Sequence, residues 1–283
     1  MTKIAIFIKT TPRRKSILWV LNSISLKLDN YRLYIADEEP VDDWKIDQYD
    51  RLRSEGHYIK VWENPVAVTV ARNHLLSKLE DEKYILRLDD DFELGGEFNI
   101  DNLLTVLENN QDIHFCSNAQ RQIDNGQSAG SGRKRFMSGH IIFREDKAPL
   151  IKLVKDTSWK FQTVNNVQFA KADYMRNLIL IKREVFDKVT WNENLTFTGE
   201  HADFYLSLKK AGYQGAFTPD SVHLHRDDLK SKCVDMKDER KWRNNDRENV
   251  KIKEYARKWG GVPEMTYGIR TTLNRIKKSL LRK

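Results

Sequence analysis

Cysteine is almost missing from this 283-residue chain: Cys116 and Cys233 stand far apart and form no CxxC pair. That argues against a zinc ribbon or a disulfide framework and fits a reducing cytoplasm. No apolar run approaches the roughly 20 residues needed to span a bilayer. The opening MTKIAIFIKT lacks the small-residue cleavage site of a secretory signal. Glycine is missing from KTTPRRKS, the segment after the first apolar run, which argues against the Gly-rich phosphate loop of a nucleotidyltransferase. There is no internal repeat and no evident linker before residue 226.

Charge is plentiful but uneven. Residues 226–283 hold 18 of the 49 Lys and Arg and 9 of the 41 Asp and Glu, a net of +9, which leaves −1 for the remainder. A near-neutral body with a basic tail is expected, divided as 1–226 and 227–283. In the tail, Ile269, Leu273, Ile276 and Leu280 recur at helical spacing among Arg270, Arg275, Lys277, Lys278, Arg282 and Lys283. Such a helix suits an anionic membrane surface, each basic residue there contributing about 1 kcal/mol. Packing of its apolar stripe on the body is the alternative. No nucleic-acid motif accompanies the tail, so no nucleic acid is expected.

Strand-like runs alternate with helical patterns through the first half: KIAIFIK, a helix with Ile17, Leu18, Leu21, Ile24 and Leu28 on one stripe, YRLYIAD, an acidic helix closed by Gly56, HYIKVWE, AVTVARNHLLSKLE and YILRLDDDF. This alternation predicts an α/β fold with a mostly parallel sheet, helices on both faces, and ligands beyond the C-terminal strand ends. Thr10, Thr11, Asp37 and Asp89 to Asp91 then share one rim. Further on, FMSGHIIF and YMRNLILIKREVF read as strands, 122–135 as a loop or hairpin end, GEHADFYLSLKKAG as a helix and GAFTPDSVHLHRDD as a strand.

Three successive carboxylates at a strand end repel one another and disfavour the strand. A solvated turn or a helix cap would tolerate them; so would a hard divalent cation, Mg²⁺ or Mn²⁺, bridging a diphosphate. In an extended segment Asp89 and Asp91 point one way and Asp90 the other, so an Asp-x-Asp pair of this kind can present one carboxylate to a nucleotide ribose and one to a metal. Arg72 is placed to pair with these acids or with a diphosphate, or else is a solvated cation. Glu200 and Asp203 share a helical face, and Glu200 also suits a helix N-terminus. His223 and His225 share a strand face, where a lone His is ordinarily a core or surface residue.

Taken in order, IFIKTTPRRKSILWVLNSI, YIADEEP, VARNHLLSKLEDEKYILRLDDDF, YMRNLILIKREVF, TWNENLTFTGEHADFYLSLKKAGY and VHLH make residues 3–226 resemble the family 2-like inverting glycosyltransferases of GT-A fold. The later blocks are similar to the β-1,4-N-acetylgalactosaminyltransferase branch. The resemblance implies a Rossmann-like GT-A domain with a mixed central sheet, extended here by a basic helical tail. It implies metal-dependent transfer of a hexose or N-acetylhexosamine from a UDP-sugar to a glycan or lipid-linked glycan, in bacterial surface polysaccharide synthesis. Thr10, Thr11, Arg13, Asp37, Arg72, Asp89 and Asp90 would serve the nucleotide, with Asp37 at the uridine. Asp91 and His225 would hold Mn²⁺ or Mg²⁺. Asn73 precedes the acids at the family's distance.

An inverting transfer needs a base at the acceptor hydroxyl. Relatives carry Glu-Asp where this chain has Glu200–His201, so Glu200 ranks first as base, then Asp203, with His201 as a base or acceptor contact. Trp191 and Tyr174 are candidate sugar platforms or core residues; Lys171, Asp173 and Asn177 are acceptor candidates. The 120–170 region would shape sugar selectivity. The expected protein is cytoplasmic, its tail at the inner face of the membrane. The rival readings are a nucleotidyltransferase and a membrane or nucleic-acid binding module on a degenerate transferase body.

Overall fold

The computed structural model describes residues 3–10, 16–39, 41, 43–123, 134–136, 138–175, 178–195, 199–226 and 247–266. Thr11, Arg13, Asn177, Cys233 and the 269–283 helix of the sequence reading lie outside them.

The first half follows the alternation read from the sequence: β1 (Ile4–Lys9), α1 (Ser16–Lys27), β2 (Tyr31–Glu38), α2 (Asp43–Ser54), β3 (Tyr58–Trp62), α3 (Val68–Leu76) and β4 (Tyr84–Asp89). A two-residue strand β5 (Phe92–Glu93), α4 (Ile100–Glu108) and the long β6 (Ile113–Ile123) follow. Then come β7 (Lys134–Arg135), β8 (Gly139–Arg144), β9 (Lys147–Leu153), β10 (Gln162–Val164), β11 (Val167–Ala172) and β12 (Ile179–Lys182). The described chain closes with α5 (Glu200–Lys210), β13 (Gln214–Arg226), α6 (Arg247–Trp259) and β14 (Glu264–Thr266).

The central sheet runs β10-β11-β13-β6-β12-β4-β1-β2-β3, with β5 paired to β13 and β7 to β6. Strands β3, β2, β1 and β4 are parallel, as expected, and so is the β6–β13 pair. Between these blocks β12 runs antiparallel to both β4 and β6, so the sheet is mixed, as the resemblance implies, and not mostly parallel as the strand–helix alternation alone suggests. Only Ile179–Lys182 of the predicted YMRNLILIKREVF strand is extended; Arg183–Asp187 turns into a 3₁₀ helix. Strand β7 pairs antiparallel with β6, Gln120 opposite Arg135 and Arg121 opposite Lys134, while residues 124–133 of the expected loop or hairpin end lie outside the described residues.

Alternation along β1 explains why both sheet faces are covered. Ile4, Ile6 and Ile8 enter a cluster beneath α1, α2 and α4, while Ala5 and Phe7 enter a second cluster shared with α3, α5 and α6. Each such aliphatic side chain contributes about 1.5–3 kcal/mol on burial, which makes the inner strands the rigid base of the site. On α1 the buried stripe uses Val20 in place of the predicted Leu18, which is exposed.

Residues 247–266, which follow the boundary expected at 226, make contacts with the preceding chain. Tyr255 and Trp259 of α6 are buried in the second cluster, and β14 pairs with β9 in a three-stranded sheet β14-β9-β8. Residues 247–266 thus pack against the body.

Candidate active site at the strand ends

Parallel register brings the acids together. Lys9, the last residue of β1, sits opposite Ala36 on one side and Asp89 on the other, so the ends of β2 and β4 flank the end of β1. The extended geometry expected for Asp89 to Asp91 stops after Asp89, because Asp90 and Asp91 form the turn into β5. The three carboxylates therefore diverge instead of alternating. Asp89 accepts from Arg72 Nη2 at 3.3 Å. Asp90 accepts from the buried Thr10 hydroxyl at 2.9 Å. Asp91 Oδ2 lies 3.4 Å from His225 Nε2.

Strand pairing makes the third contact. β5 lies antiparallel to the end of β13, His225 opposite Phe92 and Leu224 opposite Glu93, and the Arg226 amide donates to the Asp91 carbonyl at 2.9 Å. On the far side of the His225 ring, Nδ1 is 2.9 Å from Gln122 Oε1 and 3.2 Å from Gln120 Nε2. The shorter contact, to a carbonyl that can only accept, assigns the proton to Nδ1. The Nε2 lone pair then faces a carboxylate, an arrangement that a cation between them would stabilise. Among the described residues no group of three or more His, Cys, Asp or Glu side chains could hold a metal ion. Two protein ligands suit an ion such as Mg²⁺ that completes its shell with phosphate oxygens and water. His223, the neighbour on the same face, is buried, is pushed down to about 3 by that burial and lies against Phe92; its Nδ1 pairs with Asn118 Oδ1 at 2.8 Å.

Arg72 is the second element. It is buried, and burial followed by repulsion from Arg87 lowers it to about 10, which still leaves it a cation at neutral pH. Its guanidinium lies 5.9 Å from the Trp191 ring centroid, and its Nη1 is a buried donor with no partner. An orphaned cationic donor beside Asp89 fits a diphosphate oxygen. Asn73 does different work. Its amide clamps the 191–193 segment through Trp191 N, Trp191 O and Glu193.

Glu200 opens α5. It is buried, and burial raises its pKa above the ordinary glutamate range, with Arg72 opposing the rise. His201 Nε2 lies 3.4 Å from Glu200 Oε1, and Arg87 Nη1 lies 3.0 Å from His201 Nδ1. Arginine can only donate, so Nδ1 accepts and the ring proton on Nε2 is directed at Glu200. His201 is thus a neutral tautomer held by Arg87. Arg87 was missed in the sequence; the signal was a lone cation inside the apolar run YILRL.

Asp203, the second candidate base, has a different set of partners. Its oxygens accept from Trp259 Nε1 at 2.7 Å and Lys258 Nζ at 2.9 Å, so it binds α5 to α6. A second tie, Tyr255 hydroxyl to Gly199 carbonyl at 2.5 Å, fixes the residue preceding Glu200. Gly199 has φ +86°, and a Cβ there would come within 2.7 Å of the Tyr255 ring. Gly199→Ala is therefore expected to cost about 1–2 kcal/mol from the left-handed backbone alone and to lower kcat further by shifting Glu200. Thermal melts and initial rates on the same preparation check this.

Several other candidate residues have partners within the protein. Asp37 is fully buried and bonded to the Glu38 amide, the Tyr49 hydroxyl and Lys45, so its oxygens already have partners. Thr10 and Asp90 bond to each other. Asp173 accepts from Lys209 and the Ile141 amide, and although burial pushes it up, these bonds and His140 hold it below the usual range. Lys171 pairs with exposed Asp112. Trp191 and Tyr174 are core residues; Trp191 stacks on Phe204 at 4.8 Å. Beneath the rim lies an unpredicted pair, Lys9 with Glu38 at 2.5 Å. Burial lowers the Lys9 pKa against the pull of Glu38.

No family model and no curated protein matches the sequence. The fold matches solved structures. A crystal structure of GalNAc-T7 with UDP, GalNAc and Mn²⁺ superposes with a TM-score of 0.59 at 14% identity, covering 79% of this chain and 44% of that one. Two crystal structures of S. aureus TarS are also similar. TarS 1–349 gives a TM-score of 0.50 at 14% identity, over 80% of this chain and 58% of that one. The other gives 0.51 at 13%, over 79% and 36%. The chain thus spans between about a third and three fifths of the length of these structures. The likeness establishes the fold, a mixed α/β architecture of GT-A type.

Proposed function

We propose that the protein is a metal-dependent, inverting glycosyltransferase that moves a hexose or N-acetylhexosamine from a UDP-sugar to a glycan hydroxyl, free or lipid-linked. The observation that carries this reading is the joint presentation of Asp91 facing His225 and of the orphaned Arg72 donor beside Asp89, at the two sides of one strand end. The GT-A fold supports it, as does a neighbour crystallised with UDP, GalNAc and Mn²⁺.

In this reading Asp91 and His225 hold Mn²⁺ or Mg²⁺, which when bound neutralises charge on the departing diphosphate. Arg72 donates from Nη1 to the same diphosphate, and Asp89, oriented by Arg72, faces the ribose. Thr11 and Arg13 extend the nucleotide contact, while Asp37, Thr10 and Asp90 act from below by fixing the strand ends. Glu200 accepts the proton of the acceptor hydroxyl as its oxygen bonds to the anomeric carbon. The bond from that carbon to the diphosphate breaks on the opposite face, and its electron pair leaves with UDP. His201, pinned by Arg87, orients Glu200. The N-acetylgalactosamine-type branch, a role in surface polysaccharide synthesis and a membrane contact through the basic C-terminal helix belong to the same proposal.

Release of UDP from candidate UDP-sugars with Mn²⁺ tests it. Asp91→Ala is expected to lower turnover at least ~100-fold, on the scale of losing a group that stabilises developing charge. Unchanged turnover in a folded Asp91→Ala protein refutes the metal assignment.

A further inference from the structure

A polar cavity separate from the candidate site lies along the C-terminal half of α5. It has a volume of about 500 Å³, and Lys188, Lys210, Arg257 and Lys258 line it with no acidic side chain in its wall. Two of the four cations have partners just outside. Lys258 bonds to Asp203 at 2.9 Å and to the Ser207 hydroxyl at 3.0 Å. Arg257 forms a two-pronged contact with Glu254, whose pKa it draws down to about 2. Setting those two acids against the four cations leaves a net of +2 facing the cavity. The ammonium groups of Lys210 and Lys258 both approach the Trp259 indole, at 5.4 and 5.0 Å from its centroid, so two like charges converge on one ring.

Like charges gathered along one concave, solvent-open wall raise the local potential and favour an anion of opposite charge. The negative end of the α5 dipole opposes this, but its last carbonyls are taken by the Ala211, Gly212 and Tyr213 amides. We infer that this cavity is a binding subsite for phosphate groups, of the charge carried by a diphosphate or two phosphodiesters, on the acceptor. A net of +2 matches such a ligand better than a single carboxylate. Ser207 stands seven residues after Glu200, about 10 Å along the helix, so a phosphate held here sits a few sugars from the proposed base. Assignment to the acceptor rests on the transferase reading; anion binding itself does not.

Indole ¹H–¹⁵N spectra of the full chain, titrated with inorganic pyrophosphate at low salt and in EDTA, test the site through Trp259, whose signal is identified by Trp259→Phe. The expected result is a saturable shift of that signal and an apparent affinity at least ~10-fold weaker in Lys188→Glu/Lys210→Glu. Lys60→Glu/Lys147→Glu, with the same charge change elsewhere, should bind like the unaltered protein, and malonate at least ~10-fold more weakly than pyrophosphate. No saturable shift, an undiminished affinity in the first variant or an equal loss in the second overturns the site; equal binding of malonate overturns its assignment to phosphate. UDP and Mn²⁺ are absent from the titration, so failure of the transferase reading would leave its outcome unchanged.

Discussion

Glu200→Gln is expected to lower kcat by about 10²- to 10⁴-fold, the range for loss of a positioned general base, with the KM for the UDP-sugar little changed. The amide keeps the shape and the hydrogen bond towards His201 while removing the proton acceptor. The pH profile gives the second readout. A base works deprotonated, and burial holds the Glu200 carboxyl protonated to higher pH than an exposed glutamate. Activity should therefore fall as pH drops through this raised pKa, giving an acid limb above the ordinary glutamate range. That limb should vanish in Glu200→Gln. In Arg72→Met it should move to still higher pH, because Arg72 opposes the rise. An acid limb that survives in Glu200→Gln assigns the base elsewhere.

Asp203→Ala is expected to act on stability first, by about 3 kcal/mol. Its carboxylate is 1% exposed and serves two donors on α6. Removal leaves the Trp259 indole N–H without its acceptor, at about 1–3 kcal/mol. It also strips Lys258 of its counter-ion, a loss softened because that lysine reaches solvent. For a chain of this size the melting point should drop by about 6–12 °C. Asp203→Asn, which keeps an acceptor for the indole, should recover part of the loss. A melting point unchanged in Asp203→Ala would mean that α6 is not held through this residue. A change in kcat without a change in stability would restore Asp203 as a participant in the chemistry.

What the sequence discloses divides along physical lines. The first four strands were legible because their alternation is local and both faces are buried, so apolar runs such as IAIFIK announce themselves. The Asp91–His225 pair came through the resemblance; the β5–β13 ladder supplies its geometry, and a two-residue strand leaves almost no local pattern. The acid turn was misread for the same reason: alternation holds only while the chain stays extended, and it ends at Asp89. Asp203 was placed by helical periodicity, which fixes a face but not the partner opposite it. That partner, α6, lies some 50 residues downstream, beyond a segment dense in charge that hides its Tyr255 and Trp259. Asp37 and Asp90 looked like ligands because carboxylates at a ligand rim ordinarily face solvent. Lys45, Tyr49 and Thr10 already satisfy them, and only tertiary contact shows that. Arg87 carried its own signal, a cation in the middle of a buried strand.

The proposal turns on a divalent ion and a UDP group bound together at the end of β4. Calorimetric titration of UDP into the protein with and without Mn²⁺ measures this directly. One-to-one binding should require the ion, and both Asp91→Ala and His225→Ala should weaken it by at least ~10-fold while keeping the parent melting behaviour. UDP bound equally well in EDTA, or with full affinity to folded Asp91→Ala, would contradict the account, as would no UDP binding at all.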